Sequence, residues 1–228
     1  MKKFLKVIGI LFLGLIALAT IFFFISDEAL PEGQAGEEAD ALTKEMMASL
    51  NYEAWQATDQ VSWTFRGPHH YEWNKAEDLV TVRWDDHEVI LNTATQSGIV
   101  SNGQNYAYAE VNELVQKAID FFNNDSFWLA APYKAFDPGT ERSLVELPDG
   151  RKGLMVTYTS GGSTPGDSYV WILDDNYRPV AIKMWVQILP IGGLEFTWEN
   201  YKTLSSGAMI AQDHKLFRGM NVSLTDIK

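Results

Sequence analysis

No cysteine occurs in the 228 residues of this chain. That excludes disulfide staples, a thiol nucleophile and the acylated N-terminal cysteine of a lipoprotein. Histidine is nearly as scarce, with four residues and no His-x-x-x-His spacing, and no Gly-x-Ser-x-Gly occurs either. Positive charge is short too: 18 Lys and Arg stand against 30 Asp and Glu, a net charge of −12. Removing Lys2, Lys3 and Lys6 leaves 15 basic and 30 acidic residues, a formal −15 for everything downstream. Such a surface repels phosphate backbones, so nucleic acid is not an expected partner, and it does not adhere to anionic headgroups. Long apolar runs are absent with one exception.

The exception is Val7–Ile25, nineteen residues without a charge behind Met1-Lys2-Lys3 and Lys6. As a helix it would be about 28 Å long, close to a bilayer's hydrocarbon core. The lysines would keep the N-terminus in the cytoplasm and place the rest outside, which predicts a single-pass protein of a bacterial inner membrane with a periplasmic domain. The competing reading is a cleaved signal peptide and an exported soluble form, but the run exceeds the usual apolar core and has no small-x-small site close behind it. The expected organisation is an anchor at 1–26, an acidic spacer at 27–38 and one domain at 39–228. Six acids, one proline and two glycines between Asp27 and Asp40 underlie the solvated-spacer reading.

Periodicity then reads as one helix over about Ala39–Trp55, from Leu42, Met46 and Leu50. From Val61 the period becomes two. Val61, Trp63 and Phe65, then Tyr71 and Trp73, then Val80, Val82 and Trp84, then Val89 and Leu91 alternate with polar residues between turns at Gly67-Pro68, Asn74–Asp78 and Asp85-Asp86. Val111, Leu114, Val115, Ala118 and Phe122 give a second helix over about Glu110–Asn123, with Asn124-Asp125-Ser126 capping a short turn at Phe127–Ala131. Strands return at Leu144–Leu147, Gly153–Thr159, Ser168–Leu173, Arg178–Leu189, Phe196–Trp198, Ala208–Phe217 and Val222–Ile227. Val180, Ile182, Met184, Val186 and Ile188 share one face of the long arm. The fold expected is mainly β: a curved antiparallel sheet, or unclosed β-barrel, of about ten or eleven strands with helices over its concave face.

Candidate chemistry is thin. His69 and His70 are adjacent, so on a strand they point to opposite faces and cannot share a metal. His87 follows Asp85-Asp86, which read more simply as a turn, and His214 is isolated. Gly161–Gly166 resembles a phosphate cradle in composition but lacks the Lys-Ser/Thr and the helix that would follow. No catalytic residue, metal site or cofactor is expected. The informative set is the wall Trp63, Phe65, Tyr71, Trp73, Val82 and Trp84, which is either an ordinary sheet core or a surface for an apolar guest. Phe127-Trp128-Leu129 would be core filler or part of a movable lid.

The motifs Asn124–Leu129 with Pro132-Tyr133-Lys134, Thr164–Tyr169, and Trp171–Asp174 with Arg178-Pro179-Val180 resemble the LolA/LolB-like group, over most of residues 45–228. These are periplasmic lipoprotein-sorting factors and related carriers; the nearest resemblance is to a Bacteroidetes-type branch of exported proteins. It implies an unclosed β-barrel with a helical lid over an apolar cavity, lined here by the six wall residues with Trp128, Val180, Ile182 and Met184. It implies a non-enzymatic binding protein for a lipid, lipoprotein acyl chain or other apolar ligand, in envelope lipid or lipoprotein trafficking. The carriers are free or acyl-anchored; a helix-tethered chain would not shuttle. Two other functions stay open: a carbohydrate- or protein-interaction module with a closed core and Trp55, Trp171 and Trp185 exposed for stacking, and a hydrolase using scattered carboxylates.

Overall fold

The structure, a computed structural model, describes residues 14, 27–101, 103, 106–160, 165–216 and 219–228. The expected anchor at 1–26 (apart from Gly14), the Gly161–Thr164 stretch and Phe217 lie outside the described residues. Among the described residues no helix is long and apolar enough to cross a membrane.

From residue 27 on, the described residues form three α-helices and a 13-stranded antiparallel sheet that does not close into a barrel. Helices α1 (Glu37–Ser49) and α2 (Tyr52–Gln56) lead into β1 (Gln60–Phe65), β2 (His69–Asn74), β3 (Leu79–Trp84), β4 (His87–Asn92) and β5 (Ser97–Val100). Helix α3 (Tyr108–Ala130) and a 3₁₀ turn (Ala131–Lys134) follow. Then come β6 (Thr140–Glu146), β7 (Lys152–Tyr158), β8 (Ser168–Leu173), β9 (Pro179–Trp185), β10 (Leu194–Thr197), β11 (Glu199–Thr203), β12 (Met209–Leu216) and β13 (Met220–Thr225). The strand order is β5-β4-β3-β2-β1-β13-β12-β10-β9-β8-β7-β6, with β11 paired to β12 off this path. The return of β13 to β1 makes the two meanders one sheet, with β5 and β6 as its outermost strands.

Two strands escape the periodicity. In β5 only Ile99 and Val100 are apolar, and Gly98 is needed because a Cβ there would stand 2.6 Å from Leu91 Cδ2 and 2.7 Å from Ile90 O. β11 offers a single aromatic, Tyr201, whose hydroxyl donates to Pro179 O at 2.7 Å.

The single helix expected over about Ala39–Trp55 is broken into α1 and α2 at Leu50-Asn51, where other elements bond the backbone. Leu50 O accepts from Tyr133 Oη at 2.8 Å and from the Met209 N–H at 3.1 Å, and Asn51 turns left-handed at φ 60°. The second helix is longer than expected: Asn124-Asp125-Ser126 do not cap anything but continue α3 to Ala130, with Asp125 and Ser126 buried. Asp125 tolerates the helix interior because tertiary partners, not its own backbone, bond its carboxylate.

The acidic segment read as a solvated spacer lies against the sheet. Gln34 pairs with Leu144 on the edge of β6 through backbone bonds of 2.8 and 2.9 Å. Gly33 passes so close that a Cβ would stand 2.7 Å from Met155 Cε, and Glu28 reaches Lys183 and Trp185 on β9. Met155, Val170 and Lys183 are register partners across β7, β8 and β9. The segment therefore crosses the face of β6–β9 that carries the small second core of Val145, Leu147, Met155 and Val170. Glu28 pairs with Lys183, and Glu38 in the first turn of α1 with Lys152, which composition could not reveal.

Candidate functional site

Register sets the expected wall residues side by side. Trp63 stands opposite Tyr71, Tyr71 opposite Val82, and Val82 opposite Val89; one step along, Val61, Trp73, Val80 and Leu91 make a second row. The rings of Trp63 and Tyr71 stack with centroids 4.5 Å apart. Helix α3 covers these rows, packing against β4, β5, β12 and β13. Phe122 lies 6.4, 6.3 and 5.2 Å from the Trp63, Tyr71 and Trp73 rings, and Phe121 stands edge-on to Trp84 at 5.5 Å. Trp128, two turns on, meets Phe196 at 5.0 Å and Trp198 at 6.0 Å.

Of the ten expected lining residues, Trp63, Phe65, Tyr71, Val82, Trp84, Trp128, Ile182 and Met184 are buried in one continuous core, and Trp73 is partly buried against it. Val180 is the exception, 40 % exposed. The β8–β9 pairing shifts between Ile172 and Leu173, which face Ala181 and Pro179, so Val180 is the unpaired residue of a bulge and loses the alternation of its strand. Val180→Thr should therefore change the unfolding free energy by no more than about 0.5 kcal/mol in urea titration. Beyond β9 the long arm also ends early: Ile188 is exposed and off the strand.

The polar centre of this site is Asp125. Its Oδ2 accepts from Tyr71 Oη at 2.5 Å and lies 2.7 Å from His69 Nδ1, and its Oδ1 accepts from Asn124 Nδ2 at 2.8 Å. His69 stacks on Phe121 at 4.0 Å, while His70 on the opposite face meets Thr64 Oγ1 at 3.0 Å. Burial pushes the Asp125 carboxyl above its ordinary value, and the bonds from Tyr71, Asn124 and His69 offset part of that. Burial, with the Asp125 charge beside it, holds the Tyr71 phenol far above its ordinary value, so it stays a donor. Asp125 was legible in principle: extending the stripe Ala118, Phe122 by three and then four residues reaches Asp125 and Leu129.

Three indole N–H groups on the wall, those of Trp63, Trp73 and Trp84, are buried without a hydrogen-bond partner among the described residues. An unpaired buried donor costs on the order of 1–3 kcal/mol, so this face has unused bonding capacity. His214, also fully buried, has no well-formed hydrogen bond to either ring nitrogen among the described residues and lies 3.9 Å from the Trp198 ring. Burial pushes it down to about 3, with the nearby Thr197 and Trp128 backbones and Asp213 offsetting little.

At the other end of the wall Lys75 sits 3.9 Å over the Trp55 ring and donates to the Trp55 carbonyl. Burial lowers it to about 8 against the opposing charge of Asp59. In limited acetylation at pH 8, Lys75 should react roughly ten-fold faster than the lysines at the surface, by peptide mass spectrometry. Equal labelling of all lysines would contradict this.

Two surface clefts lie elsewhere. One of about 460 Å³ runs between α1 and the turns of β6–β9, lined by Leu42, Leu144, Arg151, Lys152, Leu173 and Tyr177 among others. One of about 330 Å³ lies over β11–β13, at Tyr201, Gln212 and Asp213. Neither includes a residue of the expected lining. Trp55 and Trp171, expected as exposed stacking platforms, are buried at 4 % and 2 % exposure, and half-buried Trp185 is tied to Glu28 O.

No known family model matches the chain, and no curated protein matches it.

Proposed function

We propose that the protein is a membrane-tethered, extracytoplasmic binding protein for an acyl chain or similar apolar ligand, with α3 as its lid. The observation that carries this is the wall of β1–β4: stacked aromatic rings with three unpaired indole N–H groups, under a helix that Asp125 fastens to Tyr71 and His69. Displacing Phe121 and Phe122 would free an aromatic trough, where an acyl chain would be buried at about 25 cal/mol per Å². Its ester or carboxyl oxygens would supply the acceptors that the indoles lack. The resemblance to the LolA/LolB-like carriers, with their helical lid and unclosed barrel, supports the same reading, as does the apolar N-terminal run for the inner-membrane location. The partners are then lipid or an acylated protein, and no catalytic step is assigned.

The close packing of Phe122 on three wall rings favours a second reading, a closed core whose outer surface binds a protein or glycan. Photo-crosslinking separates the two. The full chain in phosphatidylcholine vesicles is exposed to a diazirine-bearing fatty acid and, separately, to a diazirine-bearing phosphatidylcholine. Adducts on Trp63, Tyr71, Trp73 or Phe122 are expected, and which probe labels more distinguishes free from esterified chains. Adducts confined to exposed residues would remove the lid reading and leave the closed core.

A further inference from the structure

The segment entering the domain is bonded to one hairpin. Asp27 Oδ1 accepts the Gly192 N–H at 2.8 Å, and the Glu28 N–H donates to Gly192 O at 3.1 Å. Trp185 Nε1 donates to Glu28 O at 2.8 Å, and the Glu28 carboxylate holds Lys183 Nζ at 2.7 and 2.8 Å. Gly192 leaves no gap here, since a Cβ would stand 2.5 Å from Trp185 Cδ1 and 2.7 Å from Glu28 O. Residues 27–28 are thus bonded to the β9–β10 hairpin at Lys183, Trp185 and Gly192.

That turn, Gln187-Ile188-Leu189-Pro190-Ile191-Gly192-Gly193, carries no charge, and it presents Ile188 at 72 % and Leu189 at 39 % exposure. Met220, 49 % exposed, belongs to the same end of the sheet: it pairs with Leu216, which faces Phe196 on β10. Apolar side chains gathered at one end of a domain this acidic need a partner that is not charged.

We propose that the β9–β10 turn is a second membrane contact, with Ile188 and Leu189 dipping into the headgroup–acyl boundary of the bilayer that holds the N-terminal run. The inference rests on the reading of Val7–Ile25 as membrane-embedded. Ile25 precedes Asp27 by two residues, so the end of the run lies no farther than roughly 7 Å along the chain from the bond to Gly192. That is about the depth of one headgroup layer, so the turn has no way to stand clear of the surface. The contact is apolar because the acidic domain gains nothing from anionic lipid. It would orient the sheet, bringing the β1–β2 turn and the His69 end of the aromatic wall toward the membrane.

The absence of native cysteine makes the test direct. Ile188→Cys and Asp175→Cys, the latter on the β8–β9 turn at the opposite end, are each labelled with an environment-sensitive fluorophore in the full chain. Both are reconstituted in phosphatidylcholine vesicles, with and without doxyl-labelled phosphatidylcholine. Roughly two-fold quenching at 188 and none at 175 is the expected result. A label on Met220→Cys, with the tip intact, should also be quenched, and should lose that quenching when Ile188→Asp is added. Protein that floats with the vesicles but shows no quenching at 188 and 220, or equal quenching at 175, overturns the turn contact and leaves the anchor standing. Protein that does not float with the vesicles overturns the anchor and the contact together.

Discussion

Replacing Asp125 with alanine should lower the unfolding free energy by about 2–4 kcal/mol, read from urea titrations near neutral pH. Asp125 is 1 % exposed, and its removal strands the Tyr71 hydroxyl and His69 beneath α3. Each stranded group then carries its desolvation cost with no bond to offset it. Asp125→Asn keeps the shape and one acceptor for Tyr71, so its loss should be smaller. A double-mutant cycle with Tyr71→Phe should return a coupling of about 1–2 kcal/mol, because the two groups share one short bond in a water-poor site. Hydrogen exchange adds a local readout. In Asp125→Ala the amides of α3 should exchange well before those of β2, since the helix loses its polar fastening while the strand keeps its ladder. A loss under about 1 kcal/mol, or exchange that accelerates equally in α3 and β2, would mean that apolar packing alone holds the helix. The lid account would then lose its latch.

His214 is expected to dominate the acid sensitivity of the fold. Its folded value lies near 3 because the ring is buried between Trp128 and Trp198, whereas an unfolded histidine titrates near the ordinary 6.5. Below that ordinary value the unfolded chain binds a proton that the folded chain refuses, so stability is full above it and falls with pH toward 3. Two units of that window, down to pH 4.5, correspond to about 2–3 kcal/mol. Asp125 and Asp137 act in the opposite direction, since burial raises both carboxyls and the folded state takes up their protons more readily. Comparison with His214→Leu separates the two effects. The variant should differ modestly from the parent at pH 7, the volumes being similar, and should be more stable by about 2–3 kcal/mol at pH 4.5. Parallel pH profiles for parent and variant would sink the assignment.

Much of the sheet was legible, because a half-buried strand writes its burial into alternate residues. Trp63, Tyr71, Val82 and Trp84 were read onto one face and are buried on one face. The turns were equally local: Gly150 at φ 80° and Asp85 at φ 46° occupy left-handed positions where Asp-Gly and Asp-Asp had marked turns. Val180 shows the limit of that reasoning. A bulge of one residue moved it to the surface while Ile182 and Met184 stayed inside, and nothing in an alternating apolar run announces a bulge. Asp125 shows a second limit. In sequence it sits among residues that cap helices; in space Tyr71, fifty-four positions earlier, makes it a helix-interior residue. His214 looked idle because burial, which gives it its chemistry, comes from partners remote in sequence.

The sequence by itself determined most of the strands and turns, the amphipathic stripes of the helices, the aromatic composition of the wall and the charge of the surface. Each of these is a short-range property, set by a period of two or 3.6 residues, by turn chemistry or by a count of ionisable groups. Only the tertiary structure decided that β13 joins the two meanders, that α3 runs unbroken across the wall, and that His69, Tyr71 and Asp125 meet. It alone decided that the acidic segment straps the outer face of β6–β9 to the β9–β10 turn. Those outcomes depend on which distant surfaces bury each other and which distant groups satisfy each other's hydrogen bonds. No local pattern encodes that choice, because many pairings would satisfy the same alternation.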